Sequence, residues 1–257
     1  MRVLNKLIRR LRQLSKVNIQ KWGKPMKIIA VIVAAGRGTR AGGTTPKQWQ
    51  HLSSKRIIDH SIDLFKNNSR INKVMVVLHS DDLDLLNRND VLFTEGGATR
   101  SESVKYGLRA LRQIERPDYV LIHDAARPVT PPDLINTVIE NLKTTDAVAP
   151  ALPVTDTLWE VIDEKVVKTK SRNNIWRAQT PQGFKFNTIL DAHKISSSSV
   201  TDDVEVAISA GVQVKVINGS EQNIKITTAE DFERVMRVLG HKSVSYTHLT
   251  LPTILLV

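Results

Sequence analysis

The segment Ala34-Ala35-Gly36-Arg37-Gly38-Thr39-Arg40, followed by Pro46-Lys47, sets glycines and spaced cations directly after the apolar run Ile28 to Val33. Glycines that follow a buried strand let the backbone turn tightly and present its N–H groups to phosphate oxygens. Arg40 and Lys47 supply positive charge that amides cannot. The chemistry implied is that of a nucleoside triphosphate, and the substrate is a polyphosphate. Taken alone, the two cations would read as solvated surface residues, and it is the glycine turn between them and the strand that says otherwise.

Two other phosphate loops share this glycine spacing, and both fail. Gly36-x-Gly38 begins the dinucleotide fingerprint, with Ala41 tolerable at its third position, but no acid closes the second apolar run, Val74 to Leu78. Gly38 and Gly43 have the spacing of a P-loop, yet Thr44 stands where that loop has lysine.

Gln48 continues the segment after Lys47, and four further segments follow in order: Gly96-Gly97-Ala98-Thr99-Arg100-Ser101-Glu102-Ser103-Val104, His123-Asp124-Ala125-Ala126-Arg127-Pro128, Arg177-Ala178-Gln179-Thr180-Pro181-Gln182 and Asn223-Ile224-Lys225-Ile226-Thr227. Together with the glycine loop, they make the chain resemble the 2-C-methyl-D-erythritol 4-phosphate cytidylyltransferases over about residues 27 to 240. The resemblance implies a Rossmann-like α/β nucleotidyltransferase fold with a largely parallel sheet and a protruding β-arm used for dimerisation. It implies CTP and methylerythritol phosphate as substrates, Mg²⁺ or another divalent cation as cofactor, and a cytoplasmic homodimer with shared active sites. By residue it implies Arg40 and Lys47 as the catalytic cations, and Ala34, Ala35, Gly36, Gly38, Gly97, Ala98, Ser103 and Lys225 as the nucleotide site. Thr157 and Arg172 would reach across the dimer to the acceptor phosphate, and Thr180 and Thr201 would hold it from the home subunit. Ala98 has no polar side chain, so any contact there comes from its backbone.

Attack by a phosphate monoester needs positioning and charge neutralisation more than proton transfer, because its second pKa is about 6 and the nucleophile is already largely a dianion. No catalytic histidine is required, and none of the seven stands in triad or zinc spacing. His123 reads as a packed neighbour of the site. Asp124, after the buried run Tyr119 to Ile122, is the natural metal ligand, since Mg²⁺ takes few carboxylates and completes its shell with phosphates and water; a helix cap is its structural alternative. Arg127 either organises the loop after Asp124 or touches substrate.

The elements that must position these residues show in the apolar pattern. Short apolar runs at 28–33, 74–78, 119–122 and 147–149 alternate with amphipathic stretches at 57–65, 104–111 and 134–142, the order of an α/β sheet. Val104, Leu108 and Leu111 share a helical face, as do Phe232, Val235, Met236 and Leu239 behind the capping box Thr228-Ala-Glu-Asp231. Sites in such sheets lie at the carboxyl ends of strands, where the Gly36 loop, the Gly96 loop and Asp124 fall. Between 153 and 176 the pattern becomes two alternating segments joined by Asp163-Glu164, a hairpin that needs something to pack on.

The 257 residues, 41% hydrophobic, suffice for one substantial core in a domain over residues 26–240. Cysteine is absent, which excludes disulfides, thiolate metal sites and cysteine nucleophiles and is compatible with a reducing cytosol. The formal charge of +11 invites a nucleic-acid reading, but residues 1–25 hold eight Lys or Arg and no acid, so the excess is mostly a property of that extension. Leu4, Leu7, Ile8, Leu11 and Leu14 give it an amphipathic face suited to a surface helix or a weak membrane-interface segment, unless the natural start is Met26. No apolar run is long enough to span a bilayer, so stable membrane association is not expected. Residues 244–257 read as an artefactual end, and a cyclodiphosphate synthase domain could follow at about Lys242, as in fused members of the resembled family.

Two other functions compete. Cytidylyl transfer to ribitol 5-phosphate would share the CTP site and much of the arm, and the acceptor decides between them. A non-catalytic nucleic-acid-binding module would need stacking aromatics among its cations, whereas aromatics are 5% of the chain and do not cluster there.

Overall fold

The computed structural model describes residues 26–37, 45–196 and 200–243. In chain order the elements are β1 (Ile28–Ala34), β2 (His51–Leu52), β3 (Lys55–Arg56), α1 (Ile57–Lys66), β4 (Lys73–Leu78), β5 (Leu92–Glu95), α2 (Arg100–Ile114), β6 (Tyr119–Asp124), α3 (Pro132–Asn141), β7 (Ala147–Pro153), β8 (Leu158–Ile162), β9 (Lys165–Lys170), β10 (Trp176–Ala178), β11 (Gln182–Lys185), α4 (Phe186–Ile195), α5 (Asp203–Ser209), β12 (Lys215–Asn218) and α6 (Ala229–Ser243).

β1 lies between β4 and β6, parallel to both, and β5 extends the sheet in parallel beyond β4. Beyond β6 the sheet turns mixed, because β11 runs antiparallel to β6 and β7. β10 continues that antiparallel pairing along the far half of β7, and β12 pairs with β7 in parallel. The fold is thus the expected α/β sandwich with a largely parallel sheet.

Alternation within β1 explains why its run is apolar throughout: Ile28, Ala30, Ile32 and Ala34 face one core, while Ile29 and Val31 face a second. The first core takes Ile58, Ile62 and Phe65 of α1 and Ile135 and Val138 of α3. Val104, Leu108 and Leu111 of α2 join the second, with Phe186, Ile189 and Leu190 of α4 and Val206 of α5. A smaller cluster seats α6 through Val235 on Leu52, Val129, Ile224 and Ile226. The Thr228 box closes as read, with Asp231 accepting from Thr227 N and Thr228 N and Thr228 Oγ1 accepting from Asp231 N. Met236 is the exception on that helix, since it stands 38% exposed instead of joining the core face.

The hairpin β8–β9 turns at Asp163 and Glu164, both in the left-handed region with φ of 47° and 61°. This is the backbone sense that two-residue hairpin turns demand, here met without glycine. Its strands are exposed on both faces, so within one chain the packing that the sequence calls for is not supplied. Residues 1–25 and 244–257, with their proposed amphipathic helix and artefactual end, lie outside the described residues.

Candidate active site

A cleft of about 460 Å³ opens at the carboxyl ends of β1 and β6. Its walls are the turn after β1 (Ala34, Ala35, Gly36), the segment Lys47-Gln48, the loop into α2 (Gly97 to Arg100, with Ser103), the end of β6 (Asp124 to Ala126) and the stretch from Lys225 to Thr228. The glycines of the second loop are required by close approach. A Cβ on Gly96 would sit 2.7 Å from Ala35 Cβ and 2.7 Å from Ser103 Oγ, and one on Gly97 would sit 2.4 Å from Glu102 Cβ. Thr99 caps α2, in a reciprocal box with Glu102, and so aims the amino end of the helix and Arg100 at the cleft.

Asp124 is buried at the centre of the charge arrangement. Its Oδ1 accepts from Arg100 Nε at 3.0 Å and its Oδ2 pairs with Lys225 Nζ at 2.7 Å. Burial alone would raise its pKa, but Arg100, Lys225 and Arg127 more than offset that and hold the carboxyl well below the usual range. It is therefore an anion at neutral pH. Lys47 also lines the cleft, its Nζ donating to Ile226 O at 2.8 Å. Three cations, Lys47, Arg100 and Lys225, thus line a cleft that holds one carboxylate, a surplus of positive charge matched to a polyphosphate.

Asp82, 3% exposed, anchors both ends of the first glycine loop. Its Oδ1 accepts from Arg37 NH1 at 2.9 Å, and its Oδ2 from Trp49 Nε1 at 2.9 Å. Gln48 adds a bond from Nε2 to Ala34 O at 3.0 Å. Gly38 and Arg40 lie outside the described residues.

The other expected residues divide. Ala34, Ala35, Gly36, Lys47, Gly97, Ala98, Ser103, Asp124 and Lys225 come together in the cleft. The Ser103 hydroxyl is engaged in its own loop, accepting from Gly97 N at 3.1 Å and donating to Thr99 O at 2.8 Å. Thr180 is buried behind the cleft, where its hydroxyl accepts from Asp124 N at 3.2 Å and meets His123 Nδ1 at 3.0 Å. Thr157 and Arg172 stand exposed on the arm, Arg172 donating to Thr155 O, and Thr201 is exposed before α5. Within one chain these last three do not reach the cleft lining.

Arg127 organises the loop, donating to Asn223 O at 2.6 Å and Ala178 O at 3.4 Å from a buried position outside the cleft lining. Sequence reasoning assigned no role to Arg100 or Asp203. Arg100 sits inside one of the quoted motifs, so a cation beside that motif's glycines was the available signal. For Asp203, whose partner is 103 positions away, there was none.

A family described as "IspD: 2-C-methyl-D-erythritol 4-phosphate cytidylyltransferase" matches residues 28–241. The 2-C-methyl-D-erythritol 4-phosphate cytidylyltransferase of Cereibacter sphaeroides is 43% identical over 223 residues, covering 84% of this chain and 98% of that protein. The bifunctional enzyme IspD/IspF of Dinoroseobacter shibae is 44% identical over 219 residues, and the match spans 84% of this chain but 54% of that protein. The crystal structure of the Francisella tularensis 2-C-methyl-D-erythritol 4-phosphate cytidylyltransferase superposes with a TM-score of 0.73 at 32% identity, covering 82% of this chain and 99% of that one.

Proposed function

This chain belongs to the 2-C-methyl-D-erythritol 4-phosphate cytidylyltransferase family, and on that premise we propose that its cleft transfers CMP from CTP to 2-C-methyl-D-erythritol 4-phosphate. The observation that carries the reading is the convergence of Arg100 and Lys225 on one ionised carboxylate, with Lys47 lining the same cleft beside two glycine loops. An oxygen of the acceptor phosphate forms a bond to the α-phosphorus while the bond from that phosphorus to the bridging oxygen breaks, and pyrophosphate leaves. Negative charge moves onto the departing pyrophosphate, where fixed cations stabilise it without reorganisation. Lys47, with Arg40 from the adjoining loop, serves that role. The Gly97-Ala98 backbone and Ser103 face the base.

Asp124 fits a divalent cation of the Mg²⁺ kind. It is ionised, and each carboxylate oxygen keeps lone-pair capacity beyond its one cationic partner. Among the described residues no cluster of three acids or histidines exists, which suits a metal held chiefly by the nucleotide's own phosphates. Such a cation supplies charge neutralisation across the triphosphate.

The acceptor phosphate is held by Thr201 of the home subunit and by Thr157 and Arg172 of a second copy, whereas the Thr180 hydroxyl is already committed to Asp124 N and His123 behind the cleft. The exposed arm supports this reading, because it leaves Trp159, Val161, Ile162, Val166, Val167 and Trp176 uncovered in one chain. Among the described residues no helix is long and apolar enough to cross a membrane, and dependence on CTP supports a cytoplasmic reaction as part of this reading.

Pyrophosphate release tests the assignment, measured with CTP, ATP, GTP or UTP against methylerythritol phosphate, ribitol 5-phosphate or no acceptor. Release that requires CTP and methylerythritol phosphate together is the result that upholds it. Equal release with ribitol 5-phosphate removes the acceptor assignment, and equal release with ATP removes the nucleotide assignment.

A further inference from the structure

Behind the cleft wall a second carboxylate shares the arginine that holds Asp124. Arg100 lies between them, its Nε 3.0 Å from Asp124 Oδ1 and its NH1 2.7 Å from Asp203 Oδ2. The other oxygen of Asp203 accepts from His193 Nε2 at 3.1 Å, and both side chains are 1% exposed. Asp203 does not line the cleft and cannot touch a substrate there. Burial raises its pKa, but Arg100 and the His193 hydrogen bond more than offset this and keep it ionised. A buried ion group of this kind is weak evidence for stability, because the desolvation cost offsets much of the attraction. Its effect on direction is firmer. A long side chain gripped by carboxylates at two of its nitrogens has its rotamer fixed, whereas one gripped at Nε alone can still turn its outer nitrogens.

We propose that Asp203 is a positioning residue for the transfer, fixing the Arg100 guanidinium so that Asp124 stays aimed into the cleft, with His193 holding Asp203 in turn. Asp203 opens α5 two residues after Thr201, so the same carboxylate ties the start of that segment to the end of β6. The inference rests on the reading of the cleft as the CMP-transfer site.

Asp203→Asn leaves the Arg100 charge in the cleft and loses only its direction. Turnover is then expected to fall about 10- to 100-fold while the KM for CTP changes less than about threefold. If Asp203 acts through Arg100, the losses are not additive, and in an Arg100→Gln background Asp203→Asn costs less than about a further twofold. His193→Leu should lower turnover about three- to tenfold, and His193→Gln should restore it, because the amide again donates to Asp203. The histidine pair leaves Arg100, Asp124 and Asp203 in place, so it decides the question even where Asp203→Asn fails to fold. Multiplicative losses in the double variant overturn the proposal, as do full turnover in Asp203→Asn or a His193→Gln protein no better than His193→Leu. Full turnover in Arg100→Gln alone overturns the cleft reading and this inference together, whereas a damaged Arg100→Gln beside an unaffected Asp203→Asn overturns this inference only.

Discussion

His123, next to the proposed metal ligand Asp124, sets a pH limit through its burial. It is fully buried against Phe65 and meets Thr180 and the Arg127 carbonyl. The Nε2–H donates to Arg127 O, and in the neutral ring that burial favours the bare Nδ1 accepts the Thr180 hydroxyl hydrogen, while Thr180 Oγ1 accepts from Asp124 N. Burial pushes its pKa down from 6.5 to about 4, against the opposing pull of Asp124. The unfolded chain therefore binds a proton at higher pH than the folded one. Stability falls as pH drops below about 6.5, and the loss is complete below about 4, where it reaches about 3 kcal/mol. Denaturant midpoints at pH 7, 6 and 5 should show a shallower slope for His123→Gln than for the parent, and parallel slopes would clear His123 of responsibility. Lys47 is the opposite case. Its Nζ meets the Ile226 carbonyl, so Lys47→Ala should cost at least about a hundredfold in turnover, on the scale of about 3 kcal/mol for a preorganised donor. Its melting temperature should stay close to the parent's, and a cleft cation without catalytic effect would be revealed by near-parental kinetics.

Helix α2 carries the site at its first turn, and its distance from the sheet is set by one absent side chain. A Cβ on Gly107 would sit 2.8 Å from Val77 Cγ2 and 3.3 Å from Val31 Cγ1, both in stiff, β-branched side chains packed in the second core. Alanine improves helix propensity by about 1 kcal/mol over glycine, but overpacking a tight core costs about 1–3 kcal/mol. Gly107→Ala should therefore destabilise, read as a lower denaturant midpoint at unchanged slope, and turnover should fall as Arg100 moves with the helix. An unchanged or higher midpoint would mean that the sheet yields at no cost. At this scale the sequence was legible wherever periodicity met burial. The continuous apolar run of β1 and the face of Val104, Leu108 and Leu111 each mapped onto a core. Gly36, Gly97, Lys47, Asp124 and Lys225, which line one cleft, were legible because they sit in short motifs. Links closed only by the tertiary fold were not legible. Asp82 to Trp49 and Arg100 to Asp203 join chemically ordinary residues whose partnership has no local spacing. Met236 failed for a related reason, since a helical face predicts which side points inward but not how far the core beneath it extends.

One chain leaves its arm uncovered, and on the proposed reading a second copy would cover the arm and complete the acceptor site together. The β8–β9 hairpin has no buried face of its own, yet its strands and flanks carry two tryptophans and several β-branched residues exposed by 44–63%. An isolated two-stranded hairpin is marginal in water, so a symmetric partner that covers it is the economical arrangement. Arg172, at the foot of that arm and away from its own cleft, would then serve the neighbour's acceptor phosphate. Arg172→Ala should raise the KM for methylerythritol phosphate far more than that for CTP, since a lost arginine–phosphate contact removes binding of the acceptor alone. Complementation isolates the shared site from a local effect. When Arg172→Ala and Lys47→Ala proteins are mixed and exchange subunits, one site of each heterodimer combines an intact Lys47 with an intact Arg172 from the other chain. Activity in the mixture that neither parent has is the result expected of a site built from two subunits. Demonstrated exchange without recovered activity would place Arg172 in the service of its own chain, and the arm would then be a dimer contact with no part in holding the acceptor.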